Sequence, residues 1–507
     1  MVNEEQGGHP SLAPVVATGR NCWRIERATR AAAVIDAANY YHFVREAMIA
    51  ARRRILIIGW DFDTRITLEP DENGQGESLG HFFLRLAREN PARQIDILKW
   101  SFGALKQFLR PRAAWMLLRW QLTRAIDFRF DSFHPMGCSH HQKIVVIDER
   151  FAVCGGIDIS CARWDTNAHA DDDARRKLPD GKPYGPWHDV TMMLDGDAAR
   201  ALADLGRDRW QHATRHELAP VEDDHDHWPE DATVDFRDVD IAIARTRSAW
   251  RDCDEVREIE ALWLDMIAAA KRFIYIENQY LTSGRIAAAI AARMKEADPP
   301  EIVVVMPRNA DGWLEQKAMD GARVQLARAI SKVDRGDRFR IYVPITRGGA
   351  DIYVHAKVAI VDDRLLKIGS ANLNNRSMGL DSECDVIIDA ALPANAATPP
   401  AIAALRSRLL AEHLDVTPEV FAARFAETGS LVETIEALRG PGKTLDLLDL
   451  EKPGPLDLFI ADNELLDPEK AEGFFEPLHK RGLRMRWREG MARLRERRRR
   501  RRGLRRQ

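Results

Sequence analysis

His141 and Lys143, two positions apart and followed by Asp148, form an H-x-K-x4-D pattern inside SHHQKIVVIDERFAVCGGIDIS. The chain repeats it 214 positions later (141 to 355, 143 to 357, 148 to 362), with His355, Lys357 and Asp362 in VHAKVAIVDDRLLKIGSANLN. The sequels match as well: Gly155-Gly156-x-Asp158 in the first copy, Gly369-Ser370-x-Asn372 in the second. One copy alone is an ordinary polar strand end, whereas two with matching sequels mark a duplicated functional unit. Residues two apart in an extended strand leave the same face, so each imidazole shares a face with an ammonium group. Two imidazoles and two ammonium groups in one cleft suit an anionic phosphodiester. A neutral imidazole can attack phosphorus while a protonated one donates to the leaving oxygen. Lys143 and Lys357 would neutralise the equatorial oxygens, where transition-state charge collects. That inventory already supplies the positive charge, so no metal and no cofactor are expected.

Asp148 and Asp362 come seven residues after their histidines, at the far end of a strand that rises about 3.3 Å per residue. They are expected to organise the fold and not to touch phosphate. His140 should face away from His141. A reactive imidazole needs an acceptor on its second nitrogen to fix the tautomer. Asp189 of PWHDV and Glu383 of DSECD are the candidates.

The duplicated motif with its GGID and GSAN sequels resembles the phospholipase D superfamily. FRFDSFHPMGCSHHQK (128–143), PWHDV (186–190), YIENQYL (275–281) and NNRSMGLDSECD (374–385) are similar to its lipid-acting branch. The resemblance runs from Arg53 to Asp389 and leaves out the last hundred or so residues. It implies His141 as nucleophile, giving a phosphohistidine, and His355 as general acid and then base. The local chemistry alone is symmetric and does not choose between them. The resemblance also implies crossed pairs, Glu383 with His141 and Asp189 with His355, and phosphate binding by Lys143, Lys357 and Asn372. Asp158 stands where the second copy has Asn372. A carboxylate there would repel phosphate, so Asp158 is expected to face backbone or Lys143. Gly155, Gly156, Gly369 and Ser370 complete the motif as turn residues.

The activity so implied is hydrolysis of glycerophospholipids to phosphatidic acid and a free headgroup alcohol, with transfer to other alcohols. The alternatives are a cardiolipin synthase-like phosphatidyltransferase and a superfamily nuclease. A non-catalytic scaffold is disfavoured, because neither motif has lost a key residue.

Positioning such a site requires two similar α/β lobes related by a pseudo-two-fold axis, a phospholipase D-like fold with a helical C-terminal extension. The expected divisions are a disordered N-terminus (1–20), a first lobe (21–215), an acidic interlobe connection (216–245), a second lobe (246–415) and the extension with an Arg-rich tail (416–507). In the first lobe the patterning predicts a helix over 31–51, a strand from Ile55, a helix over 78–90 and a strand over 94–100. In the second, helices over 255–272 and 284–295 alternate with strands at 273–277, 302–306 and 338–343. LKQFLRPRAAWMLLRWQLT (105–123) reads as a core-facing amphipathic helix, or as an interfacial one presenting Trp115, Arg119 and Trp120 to headgroups. The 163–186 insertion reads as a loop over the mouth, with the Asp171–Asp173 triplet solvated. His225 and His227 read as part of an exposed linker.

The 507 residues, 45% hydrophobic and 30% charged, describe an ordinary globular chain of two or three domains. Its net charge of −3 hides a polarity: residues 480–507 hold 15 Arg/Lys against Glu489 and Glu496, a charge of +13, which leaves −16 on the rest. The six cysteines form no CxxC pair and read as free thiols in a reduced compartment. No signal pattern and no apolar run near the ~18–20 residues of a span are present. The expectation is a cytoplasmic monomer that binds phospholipid and touches anionic membrane peripherally through the tail, with nucleic acid as the lesser partner.

Overall fold

The computed structural model describes residues 13–101, 111–309 and 323–448. The first half of the chain supplies β1 (Arg24–Ile35), β2 (Arg54–Gly59), β3 (Gln94–Trp100), β4 (Ile126–Asp131), β5 (Ile144–Ile147), β6 (Phe151–Gly155), β7 (Trp187–His188) and β8 (Val190–Asp195). The second supplies β9 (Phe236–Arg247), β10 (Val256–Arg257), β11 (Phe273–Asn278), β12 (Glu301–Val305), β13 (Phe339–Ile345), β14 (Tyr353–Val354), β15 (Lys357–Val361), β16 (Leu365–Gly369), β17 (Glu383–Asp389) and β18 (Thr444–Leu447).

Most of these strands join one mixed sheet, ordered β18-β13-β12-β11-β15-β16-β17-β9-β1-β8-β6-β5-β2-β3-β4. Outward from the central β1–β9 pair, the two arms read alike: β8, β6, β5, β2, β3, β4 on one side and β17, β16, β15, β11, β12, β13 on the other. The last three strands of each arm run parallel, and the motif hairpins β5–β6 and β15–β16 are antiparallel. The pseudo-two-fold axis therefore passes between β1 and β9. One sheet face is covered by helices Gly196–Thr214 and Pro399–Leu414 over a core shared by both lobes. The other face carries a separate core for each lobe, under helices Ala37–Ala50 and Leu79–Glu89 in the first and Glu258–Ala269 and Gly284–Arg293 in the second.

Several expectations need correction. Residues 31–35 continue a strand, and the helix begins only at Ala37. Alanine favours helix on its own. Here Ala28, Ala31 and Ala33 are buried in the middle of the sheet beside the Ala-rich helix Gly196–Thr214, where small side chains allow close approach, and Ala32 is buried on the opposite face. Tertiary packing overrides propensity. The acidic stretch 216–245 likewise ends in a strand, since β9 starts at Phe236 and pairs with both β1 and β17. His227 is buried with its Nε2 3.2 Å from Asp148, so this stretch is not a free linker. Residues 13–20 are also placed: Val15 and Val16 are buried and donate backbone N–H bonds to Asp389. Asp171 is not simply solvated, as it accepts bonds from Thr346 and from Gly348 N of the second lobe. The helix of the 105–123 stretch spans Pro111–Gln121; it buries Met116, Leu117 and Trp120 and exposes Trp115, Leu118 and Leu122. The second lobe ends in helix Pro399–Leu414; the extension contributes helices Pro418–Thr428 and Leu431–Leu438, and β18 adds to the edge of β13. Residues 1–12, 102–110, 310–322 (the first part of a helix expected over 314–333) and 449–507, which include the Arg-rich tail, lie outside the described residues. No described helix is long and apolar enough to cross a membrane.

Candidate active site

The motif hairpins are anchored by their aspartates. Asp148 takes positive φ (48°), as does Glu149 (57°), and Asp362 and Asp363 do the same (both 55°). Consecutive residues in this region make the tight turn that matches strand twist, and Asp tolerates it. Each carboxylate then reaches the start of the neighbouring central strand. Asp148 accepts backbone N–H bonds from Arg52 (2.6 Å), Arg53 (2.8 Å) and Arg54 ahead of β2. Asp362 accepts from Lys271 (2.7 Å), Arg272 (2.8 Å) and Phe273 (2.9 Å) ahead of β11. Both act far from the imidazoles.

The reactive ends meet at the lobe boundary. His141 N donates to Ser382 O (2.9 Å), and His355 N donates to His188 O (2.8 Å), so each motif backbone is tied to the opposite lobe. The side chains cross in the same way. His141 Nδ1 lies 3.0 Å from Glu383 Oε2 and 3.1 Å from the Ser370 carbonyl. His355 Nδ1 lies 2.7 Å from Asp189 Oδ2. All these partners are acceptors, so each Nδ1 carries the hydrogen and each Nε2 is left with its lone pair.

Glycine makes one of these pairs possible. A Cβ on Gly156 would sit 2.1 Å from Asp189 Oδ1, and only a bare backbone leaves the carboxylate room. Ser370, at the matching position, instead donates its hydroxyl to Glu383 Oε2 (2.5 Å). Gly155 and Gly369 are similarly pressed against Thr191 and Asp385. Ser377, which the motif does not announce, donates to Glu383 Oε1 (2.6 Å) and accepts from Asn372 N (3.1 Å).

The two lysines differ. Lys143 Nζ donates to the His141 carbonyl (2.9 Å) and lies 3.2 Å from Asp158 Oδ2. Asp158 also accepts from Trp60 N (3.0 Å) and Asp61 N (3.2 Å), so its carboxylate is turned to backbone and lysine. Lys357 Nζ donates to the His355 carbonyl, and its counterpart of Asp158 is the neutral Asn372, whose buried Oδ1 has no hydrogen-bond partner. Burial pulls Lys357 down to about 7, and the nearby Lys143 and Arg163 act in the same direction. Burial also pushes Glu383 up to about 7 and Asp189 up to about 6, against the opposing pull of the lysines. Both imidazoles are held well below their usual range, first by burial and then by Lys143 and Lys357. An anion entering the cleft would reverse much of this, because the site is short of negative charge on its open side.

His140 faces away from the cleft. Its Nδ1 meets Ser382 Oγ (2.8 Å) and its Nε2 meets Arg209 and Asp131, and burial with the Arg209 charge pulls it down to about 3. Arg163 was not singled out by the sequence. Its guanidinium lies 4.2 Å over the ring of Trp187, which itself lies 5.2 Å from the His355 ring. The only sequence signal was its place at the head of the 163–186 insertion. Aromatic rings flank both halves: Trp60 stands edge-on to His141 and stacks on Trp100, and Trp187 stacks on Tyr353.

The family model described as "Cardiolipin synthase, PLD-like domain" matches residues 263–398, which contain the second motif. Phospholipase D A of Dictyostelium discoideum is 26% identical over 425 residues, 70% of this chain and 32% of that protein. Phospholipase D1 of Saccharomyces cerevisiae is 26% identical over 346 residues, 49% of this chain and 20% of that protein. Phospholipase D alpha 1 of Carica papaya is 24% identical over 563 residues, covering 82% and 68%. The chain thus spans about a third of the Dictyostelium protein and a fifth of the yeast one. Among solved structures, a phosphatidylserine synthase of Haemophilus influenzae Rd KW20 superposes with a TM-score of 0.53 at 13% identity, covering 86% of this chain and 94% of that one. At that identity the likeness concerns the fold.

Proposed function

We propose that this chain, a member of the phospholipase D superfamily, is a phosphodiesterase that cleaves glycerophospholipids to phosphatidic acid and exchanges their headgroups. The observation that carries the reading is the crossed arrangement of His141–Glu383 and His355–Asp189, with Lys143 and Lys357 beside them. His141 Nε2 attacks phosphorus, and the bond to the headgroup oxygen breaks as His355, protonated, donates to that oxygen. The phosphatidyl group is then carried on His141. Neutral His355 takes the proton from an entering water or alcohol, whose oxygen attacks phosphorus and releases His141. Lys143, Lys357 and Asn372 hold the non-bridging oxygens.

The order of roles has a structural support. Asp189 is nearer its imidazole than Glu383 is, so it better sustains an imidazolium on His355. Glu383 is further engaged by Ser370 and Ser377 and holds His141 as the neutral tautomer. The preference for lipid over nucleic acid rests on the aromatic walls of Trp60, Trp100, Trp187 and Tyr353. It rests also on Trp115 and Leu118 of helix Pro111–Gln121 and Leu122 just after it, which are 63%, 46% and 80% exposed and suit the edge of a bilayer. The Arg-rich tail would add attraction to an anionic leaflet.

The test is competition for the intermediate. Ethanol added to a phosphatidylcholine or phosphatidylethanolamine assay should divert product from phosphatidic acid to phosphatidylethanol, with little change in headgroup release. Headgroup release with no alcohol adduct would mean direct attack by water. Cleavage of DNA but of no phospholipid would move the chain to the nuclease reading.

A further inference from the structure

The residue preceding Asp189 belongs to a second cluster that the phosphodiester chemistry does not use. His188, His169 and Asp36 are almost wholly buried, and the Glu412 side chain is 7% exposed. Their four ligand atoms lie within 4.8 Å of one another. His169 Nε2 is 3.0 Å from Glu412 Oε1 and 3.3 Å from Asp36 Oδ2. His188 Nδ1 is 3.0 Å from Glu412 Oε1 and 3.1 Å from Asp36 Oδ1. Ligands about 2.0–2.1 Å from a tetrahedral zinc ion are separated by roughly 3.3 Å, so these spacings approach those of a closed N2O2 shell.

Three independent features point to an ion. First, buried His188 Nδ1 makes no hydrogen bond despite its closeness to both carboxylates, as expected of a lone pair aimed between them. Second, the outer nitrogen of each imidazole meets a carboxylate: His169 Nδ1 lies 3.0 Å from Asp165 and His188 Nε2 2.9 Å from Glu277. Metal-bound histidines are oriented in this way, and ligand carboxylates are themselves hydrogen-bonded. Here Asn167 Nδ2 donates to Asp36 Oδ2 (3.1 Å) and Glu412 Oε2 (2.8 Å). Third, the charges leave room for a dication. Asp36, Asp165, Glu277 and Glu412 set four carboxylates against the cations Arg176 and Lys443; the same carboxylates raise His169 to about 9 and His188 well above its usual range, so an ion would enter by displacing the imidazole protons. Asp36 also holds φ 65° and ψ 152°, a region that non-glycine residues occupy at a cost and mostly at functional sites.

We propose that Asp36, His169, His188 and Glu412 bind one divalent transition-metal ion of the zinc class, behind the phosphate site and distinct from it. Two imidazoles with two carboxylates suit such an ion better than magnesium or calcium, which prefer all-oxygen shells. A cavity of about 790 Å³, bordered by His169, Glu412, Asn39 and Lys443, gives the access route. The ion's role is positional. Asp36 Oδ1 accepts the Asp189 N–H (3.1 Å) and the His188 carbonyl accepts the His355 N–H (2.8 Å), so fixing both ligands fixes the segment that presents Asp189 to His355.

The experiment uses the full chain after prolonged dialysis against chelator, titrated with Zn2+ alone and with Co2+ alone. The expected result is one equivalent bound per chain, a higher Tm with Zn2+, and visible Co2+ absorption of tetrahedral type. His169→Ala and Glu412→Gln should each weaken Co2+ binding by about 10–100-fold, whereas His225→Ala should not. Glu412→Gln preserves volume, so it decides the matter if His169→Ala fails to fold. Absence of saturable binding to the native chain, or equal binding in native and Glu412→Gln protein, would overturn the proposal and leave a buried ion-pair cluster. Neither result bears on the phosphodiesterase reading, which the alcohol adduct tests separately.

Discussion

His355 of the second lobe is held by Asp189 of the first, Nδ1 to Oδ2 at 2.7 Å across 166 positions of sequence. The reciprocal pair, His141 with Glu383, spans 242 positions at 3.0 Å. Neither lobe alone supplies both His141 or His355 and its carboxylate acceptor, so the sheet that joins β9 to β1 holds the proposed site together.

The crossed carboxylates should therefore matter through kcat. Asp189→Asn and Glu383→Gln keep shape but lose the charge and bring an NH2 donor that favours the wrong imidazole tautomer, and each should lower kcat by about 10²–10⁴-fold with a small effect on KM. Far-UV circular dichroism and Tm check that the fold persists. A loss confined to KM would place these residues in substrate binding instead.

The pH profile follows from the same cluster. Glu383, pushed up to about 7 by burial, must be ionised to hold His141, so activity falls as pH drops and it gains a proton. Lys357, pulled down to about 7 by burial, must be charged to hold phosphate, so activity falls as pH rises and it loses one. The log of kcat/KM against pH should show a narrow optimum near neutrality, belonging to the coupled set and not to either residue alone. A bound phosphodiester favours the ammonium form, so the alkaline limb of kcat should lie at higher pH than that of kcat/KM. Glu383→Gln should remove the acid limb. A flat kcat/KM profile between about pH 6 and 9 would contradict this.

The hairpin aspartates predict a stability effect without chemistry. Asp148→Ala and Asp362→Ala each orphan three backbone donors, at a cost of about 2 kcal/mol or more. Asp148→Ala should cost more, because Asp148 is fully buried and also faces His227 at 3.2 Å. Urea denaturation reads both, and equal stability to the native chain would show that the clamps are dispensable.

Membrane contact should divide between two features. Replacing Trp115, Leu118 and Leu122 together by Ala should weaken binding to zwitterionic vesicles by about 10-fold or more, given the apolar area withdrawn. Deleting Met491–Gln507 should chiefly weaken binding to anionic vesicles and flatten its salt dependence. Turnover of a short-chain soluble substrate should change little in either variant. Vesicle binding unchanged in both would show that other surfaces dock the chain.

The motif strands and the turns after them were legible because fixed spacing carries them: alternation sets the faces, and duplication separates signal from chance. The crossed pairing of Asp189 and Glu383 rested on the family resemblance instead. The central strands were not. β1 looks helical because Ala28, Ala31 and Ala33 have no strand propensity of their own and find their place only against a helix and a strand distant in sequence. β9 hides behind the acidic run that precedes it. Trp120 and Trp115 sit five residues apart on one helix, yet Trp120 packs on Phe62 and Phe83 while Trp115 faces out, a division that hydropathy does not resolve. Arg163 and Ser377 lie outside any spaced motif. Asp36, His169, His188 and Glu412 come from four separate stretches, so only the folded chain brings them together.

The most direct measurement is trapping of the covalent intermediate. Rapidly quenched His355→Ala protein, given a phospholipid labelled on phosphorus, should carry acid-labile label on His141, because the nucleophile survives while the base that releases it is gone. His141→Ala should carry none, and both should turn over several orders of magnitude more slowly than the native chain. Label on His355, or near-native turnover in either single variant, would contradict a single site shared by the two lobes.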